Sequence, residues 1–206
     1  MKKIFTLSIL LSQLCYGQKE TNLWYFGFNA AIDFNSGSAV SLSGSQSYTS
    51  EGSASISDSA GNLLFYTDGI YVWNANNNTM PNGWGLYGGT SSTQSALIVP
   101  APGSDSLYYI FTTGQQLEFG LYYSIVDMSL QSGLGDVSVK NVLLDNQTCE
   151  KITAVCHSNG TDVWVIAHDW DNNDFEAYQL SVSGVSNSPV ISSIGSNMNN
   201  SDFNTI

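Results

Sequence analysis

The feature that most constrains the fold of this chain is an order of three short segments, separated by turns, that occurs three times. In the first copy, residues 52–57 (GSASIS) alternate small or apolar residues with polar ones, and residues 62–67 (NLLFYT) are apolar and aromatic. Turn-forming residues 58–61 (DSAG) lie between them, and residues 70–73 (IYVW) follow. Period-two alternation and aromatic enrichment are typical of strands. Each copy therefore predicts an antiparallel meander of three strands.

The later copies repeat this order at regular intervals. The second comprises residues 95–99, 107–112 and 121–126, and the third comprises residues 151–155, 162–167 and 175–180. Aligning the middle strands places Tyr66, Phe111 and Ile166 in register, at intervals of 45 (66 to 111) and 55 (111 to 166) positions. Repeats of roughly 40 to 50 residues, each a small meander, are the signature of β-propeller blades. The sequence therefore predicts an all-β, propeller-like fold.

The number of blades is the next expectation. Residues 23–27 and 31–34 are also strand-like, and supply either an earlier blade or the strand that closes the ring. About four blade units result, whereas most propeller rings contain more; a ring of four is the uncommon alternative. We therefore expect an incomplete ring, in which the propeller-like domain spans residues 18–206 and is truncated at its C-terminal end.

Residues 1–17 have the parts of a secretory signal peptide. Two lysines precede an apolar run, and Gly17 supplies the small residue before the expected cleavage. The run is about half of the roughly 20 residues that a membrane-spanning helix needs. Lipidation of Cys15 is the alternative, although the residues before it are larger than a lipoprotein signal requires. The mature chain is thus expected to begin at Gln18 and to be secreted or held at the cell surface, without membrane insertion.

The charge of the chain excludes two classes of partner. It contains 17 acidic residues and 5 basic ones, for a formal net charge of −12. All five basic residues are lysines, and two of them lie in the predicted signal peptide. Such a surface repels phosphate groups, so nucleic acid and anionic membranes are not expected partners. The same charge keeps an extracellular protein soluble.

Two cysteines, Cys149 and Cys156, remain after the predicted cleavage. If the segment between them is one extended strand, their sulfurs lie more than about 20 Å apart and cannot form a disulfide. A turn between them would be needed for a bridge. We therefore expect two buried thiols, and no zinc site, since neither CxxC nor paired-histidine spacing is present.

A set of motifs resembles the N-terminal propeller-like region of large Bacteroidota surface proteins. The motifs are residues 51–58 (EGSASISD), 61–69 (GNLLFYTDG), 72–74 (VWN), 80–83 (MPNG), 92–96 (STQSA), 108–111 (YYIF), 123–128 (YSIVDM) and 133–136 (GLGD). The resemblance covers nearly all of residues 23–196. It implies type IX secretion, because in that family immunoglobulin-like repeats and a C-terminal sorting domain, sometimes of the gliding-motility-associated type, commonly follow. Neither is present in this sequence, so periplasmic residence is expected if the gene ends at Ile206.

A group of carboxylates is the strongest candidate for metal binding. Asp169, Asp171, Asp174 and Glu176 crowd a predicted hairpin loop. Carboxylates at alternate positions suit Ca²⁺, which takes six to eight oxygen ligands. The spacing is not that of an EF-hand. A solvated loop rich in turn-forming residues is the alternative, and no other cofactor is expected.

A long loop is the strongest candidate for ligand binding. Residues 74–90 are predicted to connect two strands, and they carry Trp84 and Tyr87 among glycines and asparagines. Aromatic faces flanked by amides suit a sugar. The alternative is that both rings pack onto neighbouring blades.

Catalytic arrangements find little support in the sequence. His157 and His168 are the only histidines, and no serine lies in a G-x-S-x-G elbow, so a nucleophilic triad is not expected. Glu51, Asp58 and Asp68 are first candidates for a glycosidase pair, since propeller glycosidases collect carboxylates from separate blades. No residue is assigned a catalytic role.

Two turns carry a candidate modification site. Ser59 and Ser106 each follow an aspartate and precede an apolar residue. This order resembles the acceptor site for O-glycosylation in Bacteroidota.

The sequence therefore predicts a non-enzymatic interaction or adhesion scaffold at the cell surface. Its loops would bind glycan or protein, because a rigid propeller frame displays loops without needing chemistry. A polysaccharide hydrolase or lyase that uses channel carboxylates is the first alternative. A structural spacer within a larger adhesin is the second.

Overall fold

The fold of the chain is given by a computed structural model that describes residues 19–116 and 120–197. These residues form sixteen strands in four antiparallel sheets, which confirms the all-β fold class. No helix among the described residues is long and apolar enough to cross a membrane. The predicted signal peptide lies outside the described residues.

Each sheet is a meander of consecutive strands. Sheet 1 contains β1 (Leu23–Phe26), β2 (Ala30–Asp33) and β3 (Val40–Leu42). Sheet 2 contains β4 (Ala54–Ser57), β5 (Leu63–Thr67), β6 (Tyr71–Asn74) and β7 (Thr79–Trp84). Sheet 3 contains β8 (Ala96–Pro100), β9 (Leu107–Thr113), β10 (Leu121–Asp127) and β11 (Asp136–Asp145). Sheet 4 contains β12 (Thr148–Cys156), β13 (Val163–Asp169) and β14 (Asp174–Ser181), with β15 (Gly184–Val185) and β16 (Val190–Ser193) both paired to β14.

The sheets stack in chain order, because alternate side chains of each strand enter different apolar clusters. Sheets 1 and 2 share the cluster of Leu23, Tyr25, Ala31, Tyr66 and Trp73. Sheets 2 and 3 share a cluster that includes Ile56, Phe65, Val72, Met80, Ile110, Val126 and Val137. Sheets 3 and 4 share a cluster that includes Tyr109, Phe111, Leu121, Ile152, Val165, Tyr178 and Leu180. Sheets 2 and 3 are therefore apolar on both faces, as strands covered on both sides require.

The stacking corrects the predicted register by one residue. Tyr66 packs against sheet 1, the preceding sheet, whereas Phe111 packs against sheet 4, the following one. It is Phe65 that faces the following sheet and so corresponds to Phe111. Because successive strand residues point to opposite faces, a slip of one position reverses the direction of the side chain.

The first strands of successive sheets lie side by side. Contacts join β1 to β4, β4 to β8 and β8 to β12. The segments that enter these strands are hydrogen-bonded to each other: the backbone N–H of Gly52 donates to the Ser92 carbonyl at 3.0 Å, and that of Gln94 donates to the Glu150 carbonyl at 3.0 Å. One edge of the stack is therefore a line of first strands.

Both remaining cysteines lie in the single strand β12 and are free thiols, as their spacing predicted. Cys149 is buried, in agreement with the prediction. Cys156 is exposed, so the prediction of a second buried thiol is wrong. It lies at the last position of β12, where the strand runs out of the packed interface.

Candidate functional site

The predicted loop of residues 74–90 contains a strand. Thr79–Trp84 forms β7, the fourth strand of sheet 2, so the loop prediction is wrong for this part. Pro81 cannot donate a ladder hydrogen bond, and Asn82 has a positive φ of 54°, so the segment lacks the usual signs of a strand. β7 is an edge strand, where such residues are tolerated. Trp84 therefore sits on a sheet rather than on a free loop.

The side chain of Trp84 is open to solvent although its backbone is fixed. The residue is 62% exposed and pairs with Tyr71 of β6, which is also exposed. Lys140 of β11 donates a hydrogen bond from its Nζ to the Trp84 carbonyl at 2.9 Å. The same ammonium lies 4.8 Å from the centre of the indole ring, within cation–π distance. Sheet 3 thus fixes the position of an aromatic ring on sheet 2.

Tyr87 is positioned by sheet 3 as well. Its ring meets that of Tyr122 edge-on, with 5.0 Å between centroids, and the residue is 37% exposed. Its backbone N–H donates to the Asn141 Oδ1 at 3.3 Å, while the Asn141 Nδ2 donates to the Gly85 carbonyl at 2.9 Å. Packing against a neighbouring sheet, the alternative raised by the sequence, thus applies to part of the Tyr87 ring.

Tyr71 extends the aromatic area into the core. Its ring stacks on Trp73 at 5.6 Å, Trp73 stacks on Tyr66 at 5.1 Å, and Tyr66 stacks on Tyr25 at 4.3 Å. The rings form a ladder that begins at the surface beside Trp84 and ends between sheets 1 and 2. We call Tyr71, Trp84 and Tyr87 the aromatic surface.

A shallow recess adjoins the Tyr87 end of the aromatic surface. It has a volume of about 300 Å³ and is lined by Ile70, by residues 85–90 and by Gln115. Two glycines allow the close approach of backbone here: a Cβ at Gly88 would lie 2.6 Å from the Gly69 carbonyl oxygen, and one at Gly89 would lie 2.8 Å from the Gln115 nitrogen. The recess therefore offers peptide groups and a side-chain amide beside exposed rings.

Three of the four predicted calcium ligands, Asp169, Asp174 and Glu176, are engaged in separate hydrogen bonds. Asp169 accepts from the Trp170 N–H and from the Asn172 side chain, and Asp174 accepts from the Ser193 hydroxyl. Glu176 accepts from the Tyr178 hydroxyl at 2.6 Å. Among the described residues, no three histidine, cysteine, aspartate or glutamate side chains are grouped to hold a metal ion. The calcium site stays a prediction without geometric support.

Glu176 differs from the other carboxylates because it is buried between sheets 3 and 4. Burial raises its pKa, and the charges of Asp145 and Asp169 raise it further, against the opposing effect of the Tyr178 hydrogen bond. Burial also raises the pKa of Asp145. The folded state therefore favours protonated carboxyl groups at this position.

This pKa shift predicts that stability falls as the pH rises. A glutamate whose folded pKa lies above its unfolded value of about 4.3 contributes stability below that pH and loses it as the pH rises through the folded pKa. Glu176→Gln keeps an oxygen that accepts from Tyr178 and removes the charge. We expect it to raise the melting temperature at pH 7 by a few degrees, about 2–4 °C per kcal/mol for a chain of this size, and to have no effect near pH 3.

The matched control is Asp171→Asn, in the same hairpin. Asp171 is exposed and has a positive φ of 65°, which asparagine tolerates. Melting curves between pH 3 and pH 8 would measure both variants. Equal pH profiles for wild type and Glu176→Gln would contradict the prediction.

Two of the candidate glycosidase carboxylates are far apart. Asp58 precedes β5 and Asp68 follows it, so the five-residue strand separates them by roughly 17 Å. Glycosidase pairs lie about 5–9.5 Å apart. Asp58 accepts from the N–H groups of Ala60 and Asn62, and hydrogen bonds from Asn62 lower its pKa. Glu51 is exposed.

Asp68 has a structural environment. Its Oδ1 accepts from the N–H groups of Ile70 and Tyr71, at 2.9 and 2.8 Å, and its side chain is buried. Burial raises its pKa. Through its two hydrogen bonds, the carboxyl group closes the turn between β5 and β6.

The structure brings together Cys149 and His168, a pair that sequence analysis missed. The Cys149 Sγ lies 3.9 Å from the His168 Nδ1. That nitrogen is 2.6 Å from the Asp169 carbonyl oxygen, so it carries a hydrogen and donates there. Burial, together with the charge of Asp169, raises the pKa of Cys149 to about 11. The thiol therefore stays protonated and lacks a base, which is the opposite of an activated nucleophile. His157 lies in a different turn, where its Nδ1 accepts from the Asn159 N–H.

The two candidate glycosylation sites differ in access. Ser59 is exposed in the turn between β4 and β5. Ser106 is half-buried, and its carbonyl accepts from the Met128 N–H at 2.8 Å. Glycosylation stays a prediction at both serines, and Ser59 is the more accessible.

Comparison with protein-family models, with curated proteins and with solved structures gives no match to this chain. The resemblance to Bacteroidota surface proteins therefore stays a prediction.

Proposed function

We propose that this chain is an exported, non-enzymatic binding scaffold, secreted or held at the cell surface, whose aromatic surface contacts carbohydrate. Its sheets would act as blades of a propeller-like frame. Two features support that frame: successive sheets stack face to face, and their first strands lie side by side. Strands of this kind converge at the centre of a propeller.

The exposure of Trp84 is the observation that carries the binding proposal. Large aromatic side chains are normally buried, and one that is 62% exposed leaves most of an apolar ring in water. The ring is also fixed, since Lys140 holds its backbone and lies against its face. A ring that is already ordered loses little conformational entropy when a ligand stacks on it.

The chemistry around Trp84 suits a neutral sugar. The C–H face of a pyranose packs on an aromatic ring, while its hydroxyl groups need donors and acceptors nearby. The recess beside Tyr87 supplies peptide groups and the Gln115 amide. The net charge of −12 disfavours polyanionic glycans, because they would be repelled over the whole surface.

Neither alternative has a comparable observation behind it. A hydrolase or lyase needs converging carboxylates, and Asp58 and Asp68 lie at opposite ends of β5. A pure spacer leaves the fixed, solvent-exposed ring of Trp84 without a role. Carbohydrate binding gives a role to that ring and to the recess that Tyr87 and Gln115 line.

Replacement of Trp84 tests the proposal. An array of neutral and uronic-acid oligosaccharides is expected to show binding to neutral glycans, and Trp84→Ala is expected to weaken it by about 30-fold, the effect of losing roughly 2 kcal/mol from an aromatic hot spot. The measurement is the concentration of protein that gives half-maximal signal on the positive spots.

The matched control is Phe28→Ala. Phe28 is 61% exposed and contacts Tyr48 edge-on at 4.9 Å, far along the chain from the aromatic surface. This variant should bind like wild type. A blank array with folded protein, or equal loss in both variants, would refute the proposal.

A further inference from the structure

Among the described residues, the two outermost faces of the sheet stack have no partner sheet. Sheet 1 packs on sheet 2 with one face, and sheet 4 packs on sheet 3 with one face. The opposite faces of both sheets end the stack. Among the described residues, no strand of sheet 1 pairs with a strand of sheet 4.

The outer face of sheet 4 is apolar over four strands. Val165 packs on sheet 3, so its neighbours Trp164 and Ile166 point outward. Residues that pair with these two across the neighbouring strands point outward as well. The outward positions, read from the strand register, include Thr153, Val155, Trp164, Ile166, His168, Phe175, Ala177 and Val190. Val155 is 52% exposed and Val190 is 57% exposed. Internal faces of the stack bury residues of the same kind.

The outer face of sheet 1 is apolar as well. Leu23 and Tyr25 pack on sheet 2, so Trp24 and Phe26 point outward, and Ile32 pairs with Trp24 on the same side. Trp24 is 52% exposed. Trp24, Phe26 and Ile32 line one side of a recess of about 480 Å³, whose other side is formed by residues 53–55, where β1 meets β4 of sheet 2. An exposed tryptophan beside an apolar recess is typical of a protein interface.

The described strands of sheets 1 and 4 keep their carboxylates off the outer faces, in spite of the strongly acidic composition; the carboxylate that lies beside an outer-face residue is that of Asp162, just before β13, which accepts a hydrogen bond from Gln179. The chain has 17 acidic residues. Within the described strands of sheets 1 and 4, the five carboxylates lie on the inner side. Asp33 pairs with Leu23 and Glu176 pairs with Ala167. Asp169 and Asp174 occupy the same side of their strands as Ala167 and Glu176. Glu150 accepts hydrogen bonds from Thr93 and Gln116 of the sheet 3 side. Two such faces can therefore approach each other without like-charge repulsion at the contact.

We propose that the outer face of sheet 4 in one copy of this chain packs on the outer face of sheet 1 in a second copy, and that two copies close one ring of eight sheets. The proposal rests on the propeller-like frame proposed above. It does not depend on carbohydrate binding.

A second copy is the occupant that continues the packing already present. In each internal interface, the following face of one sheet contacts the preceding face of the next: Phe65 reaches sheet 3, and Phe111 reaches sheet 4. The outer face of sheet 4 is a following face, and the outer face of sheet 1 is a preceding face. Joining them repeats the internal arrangement between two molecules.

Closure by two copies also fits the sheet count. The four sheets formed by residues 19–116 and 120–197, taken from two copies, make eight, within the usual range of four to eight blades. A head-to-tail contact of this kind forms a closed ring when the rotation closes. Once the first interface has formed, the second forms within the same particle, at a high effective concentration.

The experiment measures the mass of the full exported chain in solution by light scattering and sedimentation. We expect a particle of two copies at about 10 μM. Trp24→Asp disrupts only the sheet 1 face, and Val190→Asp disrupts only the sheet 4 face, so each variant alone should be monomeric. Val182→Asp is the control, because Val182 is 74% exposed in the β14–β15 turn, outside both faces.

Mixing the two variants distinguishes this interface from a symmetric one. The intact sheet 4 face of Trp24→Asp can bind the intact sheet 1 face of Val190→Asp, so an equimolar mixture should form pairs with reduced affinity. Far-UV circular dichroism checks that each variant is folded. A wild type that stays monomeric up to about 100 μM, a dimer that survives both substitutions, or open polymers in place of pairs would each overturn the proposal.

The outcome is independent of the glycan array. A monomer that binds glycans through Trp84 would refute the ring and keep the binding function. A two-copy particle with a blank array would refute the binding function and keep the ring.

Discussion

Phe111→Ala is expected to lower the free energy of unfolding by about 3–5 kcal/mol, the usual cost of emptying a buried phenylalanine site. Phe111 has no exposed surface and lies in the cluster between sheets 3 and 4. Its ring is 6.1 Å from that of Tyr109 and 6.2 Å from that of Tyr123, centroid to centroid, so its removal leaves a cavity that aromatic neighbours cannot fill. Because domains are stable by only about 5–15 kcal/mol, this is a large fraction of the total.

Urea denaturation followed by tryptophan fluorescence measures this loss. Phe28→Ala is the control, since the exposed Phe28 side chain leaves little apolar surface to lose. We expect less than about 1 kcal/mol for it. Similar midpoints for the two variants would mean that sheets 3 and 4 do not share this cluster.

The strands of the meanders were predictable because their patterns are local. The three predicted segments of the first copy correspond to β4, β5 and β6, with end points that differ by one or two residues. Apolar alternation and turn residues determine such strands within a few positions. A local pattern decides where a strand lies, whatever sheet covers it.

Fourth strands and side-chain direction were harder to predict for a physical reason. β7 is an edge strand with Pro81 in it, so it depends on pairing with β6 and not on its own composition. The aromatic pair Phe65 and Tyr66 is buried on both sides, so hydrophobicity cannot tell which ring faces which sheet. Only the neighbouring sheets settle that direction, and they are distant in sequence.

The candidate site was likewise predictable only in part. Trp84 and Tyr87 were found from the sequence, because aromatic residues among glycines and asparagines are unusual. Lys140 and Asn141, which hold them, come from β11, more than 50 residues away, and nothing in the local sequence marks them. Tyr71 joins the surface only because β6 and β7 pair. A site that two sheets share can be recognised only when the relative positions of the sheets are known.

The side-by-side arrangement of first strands has its own test in Gly52→Ala. A Cβ at Gly52 would lie 2.1 Å from the Ser95 backbone nitrogen and 2.9 Å from the Ser92 carbonyl oxygen. Both are backbone atoms, so the clash cannot be relieved by rotating a side chain. The Gly52 N–H also donates a hydrogen bond to the Ser92 carbonyl at this contact. One methyl group should therefore force sheets 2 and 3 apart where β4 and β8 meet. We expect a loss of at least about 3 kcal/mol, at the upper end of the range for overpacking.

Ser53→Ala, at the next residue, is the matched control for this substitution. It adds no atom near Ser95 and should change the free energy of unfolding by less than about 1 kcal/mol. The φ of Gly52 is not positive, so backbone strain does not contribute and the effect measures the distance between chain segments alone. A Gly52→Ala protein as stable as Ser53→Ala would show that the entry segments of sheets 2 and 3 are not in contact. The propeller-like frame would then lose the line of first strands on which it depends, and the two-copy ring would fail with it.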